Sequence, residues 1–131
     1  MQANKMQVGG EHYASEYQHW DFVQDALCGL YLEGQITKYV SRWRKKNGVQ
    51  DLQKALHFTN KLRESTHLRC MSSLNREAGI DGIKIANEFC AINKLDEKET
   101  YIITTIAGWT YQTDLDQVAT VLEVMAFQAG S

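Results

Sequence analysis

Apolar residues recur along most of the chain at intervals of three and four, the spacing of a helix that buries one face. The clearest stripe, at positions i, i+3, i+4 and i+7, consists of Ile36, Tyr39, Val40 and Trp43. It predicts a helix over 35–46. Asn47-Gly48 should end this helix, because glycine readily takes the left-handed conformation beyond a last turn.

The same spacing predicts helices on both sides of this one. The first covers 21–32, with Asp21 as its N-cap and Gly34 as the break that follows it. Another runs from residue 50 into the mid-sixties. A further helix covers 81–93 and should bury Ile83, Ala86 and Cys90, and we expect Ile80 there too. The final helix opens at Asp114, where Gln117 completes a pattern similar to a capping box.

The segment YIITTIAGW, residues 101–109, fits two structures. Its β-branched residues favour a strand. Ile102, Ile106 and Trp109, however, have the i, i+4, i+7 spacing of a helix. A lone strand would have no partner to pair with in this chain, so we expect a helix.

Together these elements predict an all-α protein, a small bundle of about five to six helices. The connections between the first three helices are short, which makes them antiparallel neighbours in a three-helix N-terminal module. The pattern breaks at about 70–75, which has the composition of a linker. We therefore expect a helical module over 1–69 that carries a basic face, and an acidic helical region over 70–131.

Charge is distributed unevenly between these halves, although the whole chain carries a formal net charge of −2. Residues 1–69 contain 10 Lys and Arg against 7 Asp and Glu, and residues 70–131 contain 4 against 9. Either the halves have different partners, or the basic half docks on the acidic one.

Much of the positive charge lies in the predicted second helix. Lys38, Arg42, Lys45 and Lys46 would share one face at i, i+4, i+7 and i+8. Like charges at this spacing cost about 0.2–0.5 kcal/mol per pair, so the pattern indicates that something negative completes it. A solvated face is the alternative. Since the chain is acidic overall, we expect a small phosphate-rich ligand rather than nucleic acid. Nearby aromatic residues could stack a base.

Other kinds of site are not indicated. The G-x-x-x-x-G spacing of Gly29 to Gly34 is followed by Gln-Ile instead of the Lys-Ser/Thr of a P-loop. The four histidines and three cysteines have no metal-ligand spacing, and the cysteines should be buried thiols. With no run of about 18 apolar residues and no signal-peptide pattern, we expect a cytosolic protein that does not enter a membrane.

The residues of 9–66 also resemble a known family. They include, in order, His12-Tyr13, Asp21, Gly34, Lys38-Tyr39, Arg42, Lys45-Lys46, Asp51-Leu52 and Lys54-Ala55. This order is similar to a small tailed-phage domain of unknown function, also described as nucleotide kinase-like and found in a coliphage nucleotide kinase that lacks a P-loop. Gln35 and Gln50 stand where that family usually has Asn and Glu.

The resemblance implies a phage protein in the bacterial host cytosol and a shared nucleotide or phosphate site. The residues at family-like positions are His12, Tyr13, Lys38, Tyr39, Arg42, Lys45, Lys46, Asp51 and Lys54. An antiparallel third helix should bring Lys54 toward Lys38 and Arg42, with Asp51 orienting a cation. Nucleoside monophosphate kinase activity is one reading, and Mg²⁺ would then be needed.

Two further functions stay open. The protein could sequester a host nucleotide or a defence signal without turnover, because a basic and aromatic pocket needs no catalytic base for that. It could also inhibit a host protein by direct contact, with an acidic surface that mimics nucleic acid and consists of Asp96, Glu97, Glu99, Asp114 and Asp116. The small size and the charge asymmetry favour a homo-oligomer, since a basic and an acidic half can pair across a two-fold axis.

Overall fold

The computed structural model describes residues 17–27, 30–65 and 73–130, with the backbone alone for 73–80. Six helices and no strand are present in these ranges, which confirms the all-α prediction. The helices are α1 (His19–Ala26), α2 (Tyr31–Arg42), α3 (Val49–Ser65), α4 (Ser73–Ile92), α5 (Glu97–Gly108) and α6 (Gln112–Gly130).

The helices share one hydrophobic core. Helix α2 packs against α3 and α5, α4 packs against α1 and α5, and α6 packs against α3 and α5. Every helix contributes buried apolar side chains, among them Phe22, Val40, Leu52, Phe89, Ile103 and Leu122. Phe22 and Phe89 stack with their ring centres 4.7 Å apart and so join α1 to α4.

Ion pairs join the basic half of the chain to the acidic half. Arg44 Nη2 lies 2.6 Å from Asp96 Oδ2, and Arg63 Nε lies 2.8 Å from Asp116 Oδ1. Arg44 also reaches Glu99 through its Nε, at 2.9 Å. These contacts support the interpretation in which the basic half docks on the acidic one.

The boundary between α1 and α2 differs from the prediction. Helix α1 ends at Ala26, α2 begins at Tyr31, and Gly34 lies inside α2. A Cβ at Gly34 would stand 3.5 Å from a methyl group of Val23 in α1, so this glycine marks a helix–helix contact and not a break. Asp21 is not the N-cap. It is the third residue of α1, and its carboxylate accepts from the backbone N–H of the N-cap Gln18 at 3.0 Å.

Helix α2 stops at Arg42, four residues earlier than predicted, and residues 43–48 form turns. Gly48 has the expected left-handed conformation, with φ of 60°, and α3 then begins at Val49. The predicted linker over 70–75 is helical from Ser73, while 70–72 lie outside the described residues.

In the second half, Ala86 and Cys90 are buried as predicted, but Ile83 is 41% exposed. Burial raises the pKa of the Cys90 thiol to about 11, as expected for a buried thiol. Cys28 and Cys70 lie outside the described residues, as does the side chain of Ile80.

Residues 101–109 are helical up to Gly108, and Ile102, Ile106 and Trp109 are buried as predicted. Helix α6 begins at Gln112, before Asp114, whose carboxylate accepts from the backbone N–H groups of Thr110 and Tyr111. The predicted capping role of Gln117 is wrong, because its side chain accepts from the Tyr101 hydroxyl on α5.

Candidate functional site: a basic cluster around Tyr39

Three positive side chains converge on the ring of Tyr39. Lys38 Nζ lies 5.0 Å from the ring centre, Arg42 Cζ 4.7 Å and Lys54 Nζ 5.3 Å. Lys38 and Arg42 project from α2, and Lys54 comes from α3. Lys54 of α3 thus contacts the same ring as the two cations of α2. We call Lys38, Tyr39, Arg42, Asp51 and Lys54 the Tyr39 cluster.

The Tyr39 ring is positioned by a neighbouring aromatic side chain. Phe58 of α3 lies nearly parallel to it, with ring centres 6.0 Å apart and planes at 9°. Tyr31, at the start of α2, meets the same Phe58 edge-on at 6.2 Å and is 66% exposed. The packing of α2 on α3 thus places aromatic surface directly beside the positive charges, an arrangement that stabilises cations through the ring faces.

Asp51 is the carboxylate of this cluster. It lies in the first turn of α3, fully buried, with Oδ2 3.5 Å from Arg42 Nε. Lys38 and Lys54 have no carboxylate partner among the described residues. Three cations therefore surround one acid, and the site carries an excess of positive charge.

Two polar atoms of the Arg42–Asp51 pair lack a hydrogen-bond partner among the residues that the structure describes. Asp51 Oδ2 accepts from the backbone N–H of Asn47 at 3.2 Å. Asp51 Oδ1 and Arg42 Nε are both buried, and neither has a hydrogen-bond partner within the described part of the chain. A buried polar atom left in this way costs about 1–3 kcal/mol, so such atoms are exceptions in folded proteins.

His19 is a neighbour of the site that sequence reasoning missed. Its Nε2 lies 2.8 Å from Thr37 Oγ1. The Thr37 hydroxyl has a single proton, which it donates to the backbone carbonyl of Glu33 or Gly34, at 3.0 and 3.2 Å. When the hydroxyl donates to either carbonyl, Nε2 is the donor to Thr37 and Nδ1 is the unprotonated ring nitrogen.

The imidazole of His19 is held neutral. Burial and the positive charges of Lys38 and Arg42 lower its pKa to about 4. Phe22 and Phe89 flank the ring, each with its ring centre 6.1 Å from that of His19. No sequence spacing links His19 to Lys38, because only the packing of α1 beside α2 brings them together.

The remaining predicted site residues are not part of this geometry. Lys45 and Lys46 are exposed on the turns after α2, so the expected i+7 and i+8 positions on its face do not exist. His12 and Tyr13 lie outside the described residues. Arg44, in the same basic stretch, turns away to the acidic half and stacks on Trp43, with its Cζ 4.4 Å from that ring.

Comparison with known proteins finds one similarity, which covers part of the chain and includes this site. Residues 8–60 match the model of DUF3310, described as a protein of unknown function. The matched segment contains the whole Tyr39 cluster together with His19. No curated protein and no solved structure matches the chain.

The described ranges contain neither a metal-binding cluster nor a membrane-spanning helix. No group of three or more His, Cys, Asp or Glu side chains there could hold a metal ion. None of the helices there is both long enough and apolar enough to span a bilayer.

Proposed function

We propose that the Tyr39 cluster binds the phosphate groups of a small molecule, and that this ligand is a nucleotide. The observation that carries the proposal is the convergence of Lys38, Arg42 and Lys54 on one aromatic ring. Arginine offers paired donors to phosphate oxygens, and lysine adds a point charge.

The contrast with other cations of the same half supports this reading. Arg44 and Arg63 find acid partners in the acidic half of the chain. Lys38 and Lys54, on α2 and α3, have no such partner among the described residues. Three cations share the one carboxylate of Asp51, and the remaining repulsion between them disfavours the free protein, so an anionic ligand would be bound favourably.

A nucleotide is preferred over a simple anion because exposed aromatic surface adjoins the charges. Tyr31 is largely exposed and contacts Phe58, which in turn stacks on Tyr39. Stacking of a base on such a ring contributes about 1–3 kcal/mol. The resemblance to nucleotide kinase-like phage domains points to the same ligand class and to a phage accessory protein acting in the host cytosol.

Two consequences of binding remain alternatives: phosphoryl transfer to a nucleoside monophosphate, or sequestration of a host nucleotide or defence signal. Inhibition of a host protein through an acidic surface is less favoured. Asp96, Glu99 and Asp116, which would form part of that surface, pair with arginines of the same chain.

Calorimetric titration tests the proposal. The parent protein is titrated with mono-, di-, tri- and cyclic nucleotides, and then the Lys38→Ala and Lys54→Ala variants with the tightest ligand. Each variant should bind about 10- to 100-fold more weakly, the effect of one lost charge-assisted contact. Lys84→Ala is the matched control, since it removes one exposed lysine from α4.

If no nucleotide binds the parent, or if Lys84→Ala weakens binding as much as the cluster variants do, the proposal is wrong. Chromatography of nucleotide mixtures after incubation with the protein and Mg²⁺ then separates the two alternatives. A new nucleoside diphosphate indicates a kinase, and binding without product indicates sequestration.

A further inference from the structure

The buried Asp51 is the feature of the cluster that phosphate binding alone does not explain. A carboxylate repels phosphate, and this one has no exposed surface. If its role were to fix Arg42, a hydrogen bond from Nε would be expected. The Nε to Oδ2 distance is 3.5 Å, and Nε has no hydrogen-bond partner among the described residues.

We infer that Asp51 Oδ1 accepts a hydrogen bond from the bound ligand, so that the cluster selects a phosphate ester bearing a hydroxyl or N–H group over inorganic polyphosphate. The inference rests on the proposed function and names the ligand chemistry that the same site recognises. A nucleotide carries both required groups, since its sugar and its base supply donors and its phosphates supply acceptors.

The two unsatisfied atoms of the pair indicate how the ligand would be accommodated. Arg42 gives up no hydrogen bond to the described residues when its guanidinium turns toward a phosphate. Since Arg42 lies against Asp51, this movement would open a path to Oδ1, while Asn47 N–H still holds Oδ2. In the complex, Arg42 Nε would gain a phosphate acceptor and Asp51 Oδ1 a ligand donor.

Selectivity follows from the charge of Asp51. Tripolyphosphate offers acceptors to Lys38, Arg42 and Lys54 but has no donor for the carboxylate when fully ionised, so it meets only repulsion there. A nucleoside triphosphate meets the same repulsion and offsets it with a hydrogen bond to a charged acceptor, which is among the stronger kinds.

The Asp51→Asn variant tests this inference, with two probes titrated into the parent and the variant. One probe is tripolyphosphate, and the other is the tightest binder among the eight standard ribo- and deoxyribonucleoside triphosphates. Asparagine is nearly isosteric, and its amide oxygen can still accept from Asn47 N–H. We expect the nucleoside triphosphate to bind about 10-fold more weakly to the variant. Tripolyphosphate should bind the variant as tightly as the parent, or more tightly.

Other outcomes overturn the inference. If both probes bind more tightly to Asp51→Asn, Asp51 acts only through its charge. If both weaken equally, Asp51 only positions Arg42. If circular dichroism shows that the variant does not fold, the affinities of the parent protein for the two probes are compared instead. Equal affinities would overturn the inference, because the site would then not recognise a hydrogen-bond donor of the ligand. If the parent binds only a mono-, di- or cyclic nucleotide, that nucleotide replaces the nucleoside triphosphate as the second probe. If the parent binds no nucleotide at all, it is the proposed function that fails.

Lys38→Ala provides the matched comparison for a pure phosphate contact. It should weaken both probes by the same factor, because Lys38 would meet only phosphate. Of these two variants, only Asp51→Asn is therefore expected to lose affinity for the nucleoside triphosphate without losing affinity for tripolyphosphate.

Discussion

Arg44 Nε lies 2.9 Å from Oε2 of Glu99, which joins the turn after α2 to the first turn of α5. The two partners differ in environment: the Arg44 side chain is 57% exposed and that of Glu99 is 3% exposed. Glu99 Oε2 also accepts from the indole N–H of Trp43, and Oε1 accepts from the backbone N–H of Asp96 at 2.8 Å. One buried carboxylate thus connects both halves of the chain.

Because of this asymmetry, we expect Glu99→Ala to destabilise the protein more than Arg44→Ala. The first change leaves the indole N–H and the helix cap without their acceptor, at a cost of about 1–3 kcal/mol. The second removes one exposed partner and costs about 1 kcal/mol or less. Urea denaturation followed by circular dichroism measures both. Equal losses would mean that the exposed ion pair is the main stabilising contact.

Neighbouring residues at the end of α2 should separate binding from stability. Arg42→Ala removes a member of the Tyr39 cluster and should weaken nucleotide binding about 10- to 100-fold. Trp43→Ala removes an indole packed against the core and hydrogen-bonded to Glu99, and should cost about 3 kcal/mol of stability. Thermal melts and calorimetric titration of both variants test this. Unchanged affinity in Arg42→Ala would show that this arginine does not contact the ligand.

The same substitution should have opposite effects at two glycines. Gly34 lies within α2, where an added Cβ would make ordinary contacts with Val23 at 3.5 and 3.6 Å. Gly34→Ala should therefore stabilise the protein by up to about 1 kcal/mol, through helix propensity. At Gly48, φ is +60°, so Gly48→Ala should destabilise it by about 1–2 kcal/mol. The midpoint of urea denaturation should rise in Gly34→Ala and fall in Gly48→Ala. A lower midpoint in Gly34→Ala would indicate that α1 and α2 cannot move apart enough to accommodate the added methyl group.

His19 should make the protein sensitive to acid. Its pKa is about 4 in the folded state and about 6.5 in the unfolded chain, so the unfolded chain binds the proton more readily between these values. Above pH 6.5 the imidazole is neutral in both states, and the free energy of unfolding is not reduced. As the pH falls from 6.5 toward 4, protonation of the unfolded chain lowers the free energy of unfolding, by up to about 3 kcal/mol in all. In His19→Gln, whose amide can still donate to Thr37, the difference in stability between pH 7 and pH 4.5 should be smaller than in the parent. An identical pH dependence would contradict the lowered pKa.

The sequence alone determined the class of fold and most of its helices. Apolar residues at helical spacing identify α2, α3, α5 and α6, because that spacing reflects which face of a helix is buried. The spacing of apolar residues could not place the boundary between α1 and α2. Glycine is compatible with both a break and the interior of a helix, and only the packing of α1 on α2 shows that Gly34 lies inside α2, facing Val23.

The placement of the candidate site's residues was predicted in part. The pattern of Lys38, Arg42 and Lys54 identified the cations that converge, since two are one turn apart on α2 and the third lies on its antiparallel neighbour. The same pattern wrongly placed Lys45 and Lys46 on this helix face, because α2, which would have aligned them, ends at Arg42.

Only the tertiary structure decided which charges are paired within the chain. Arg42 and Arg44 stand two positions apart and look alike in sequence, but Arg44 meets Asp96 and Glu99 of the acidic half and Arg42 faces Tyr39 and Asp51. His19 likewise joins the site only through the packing of α1 on α2. Electrostatic interactions depend on distances in space, and residues 50 or more positions apart come within 3 Å only when the core that holds them has formed.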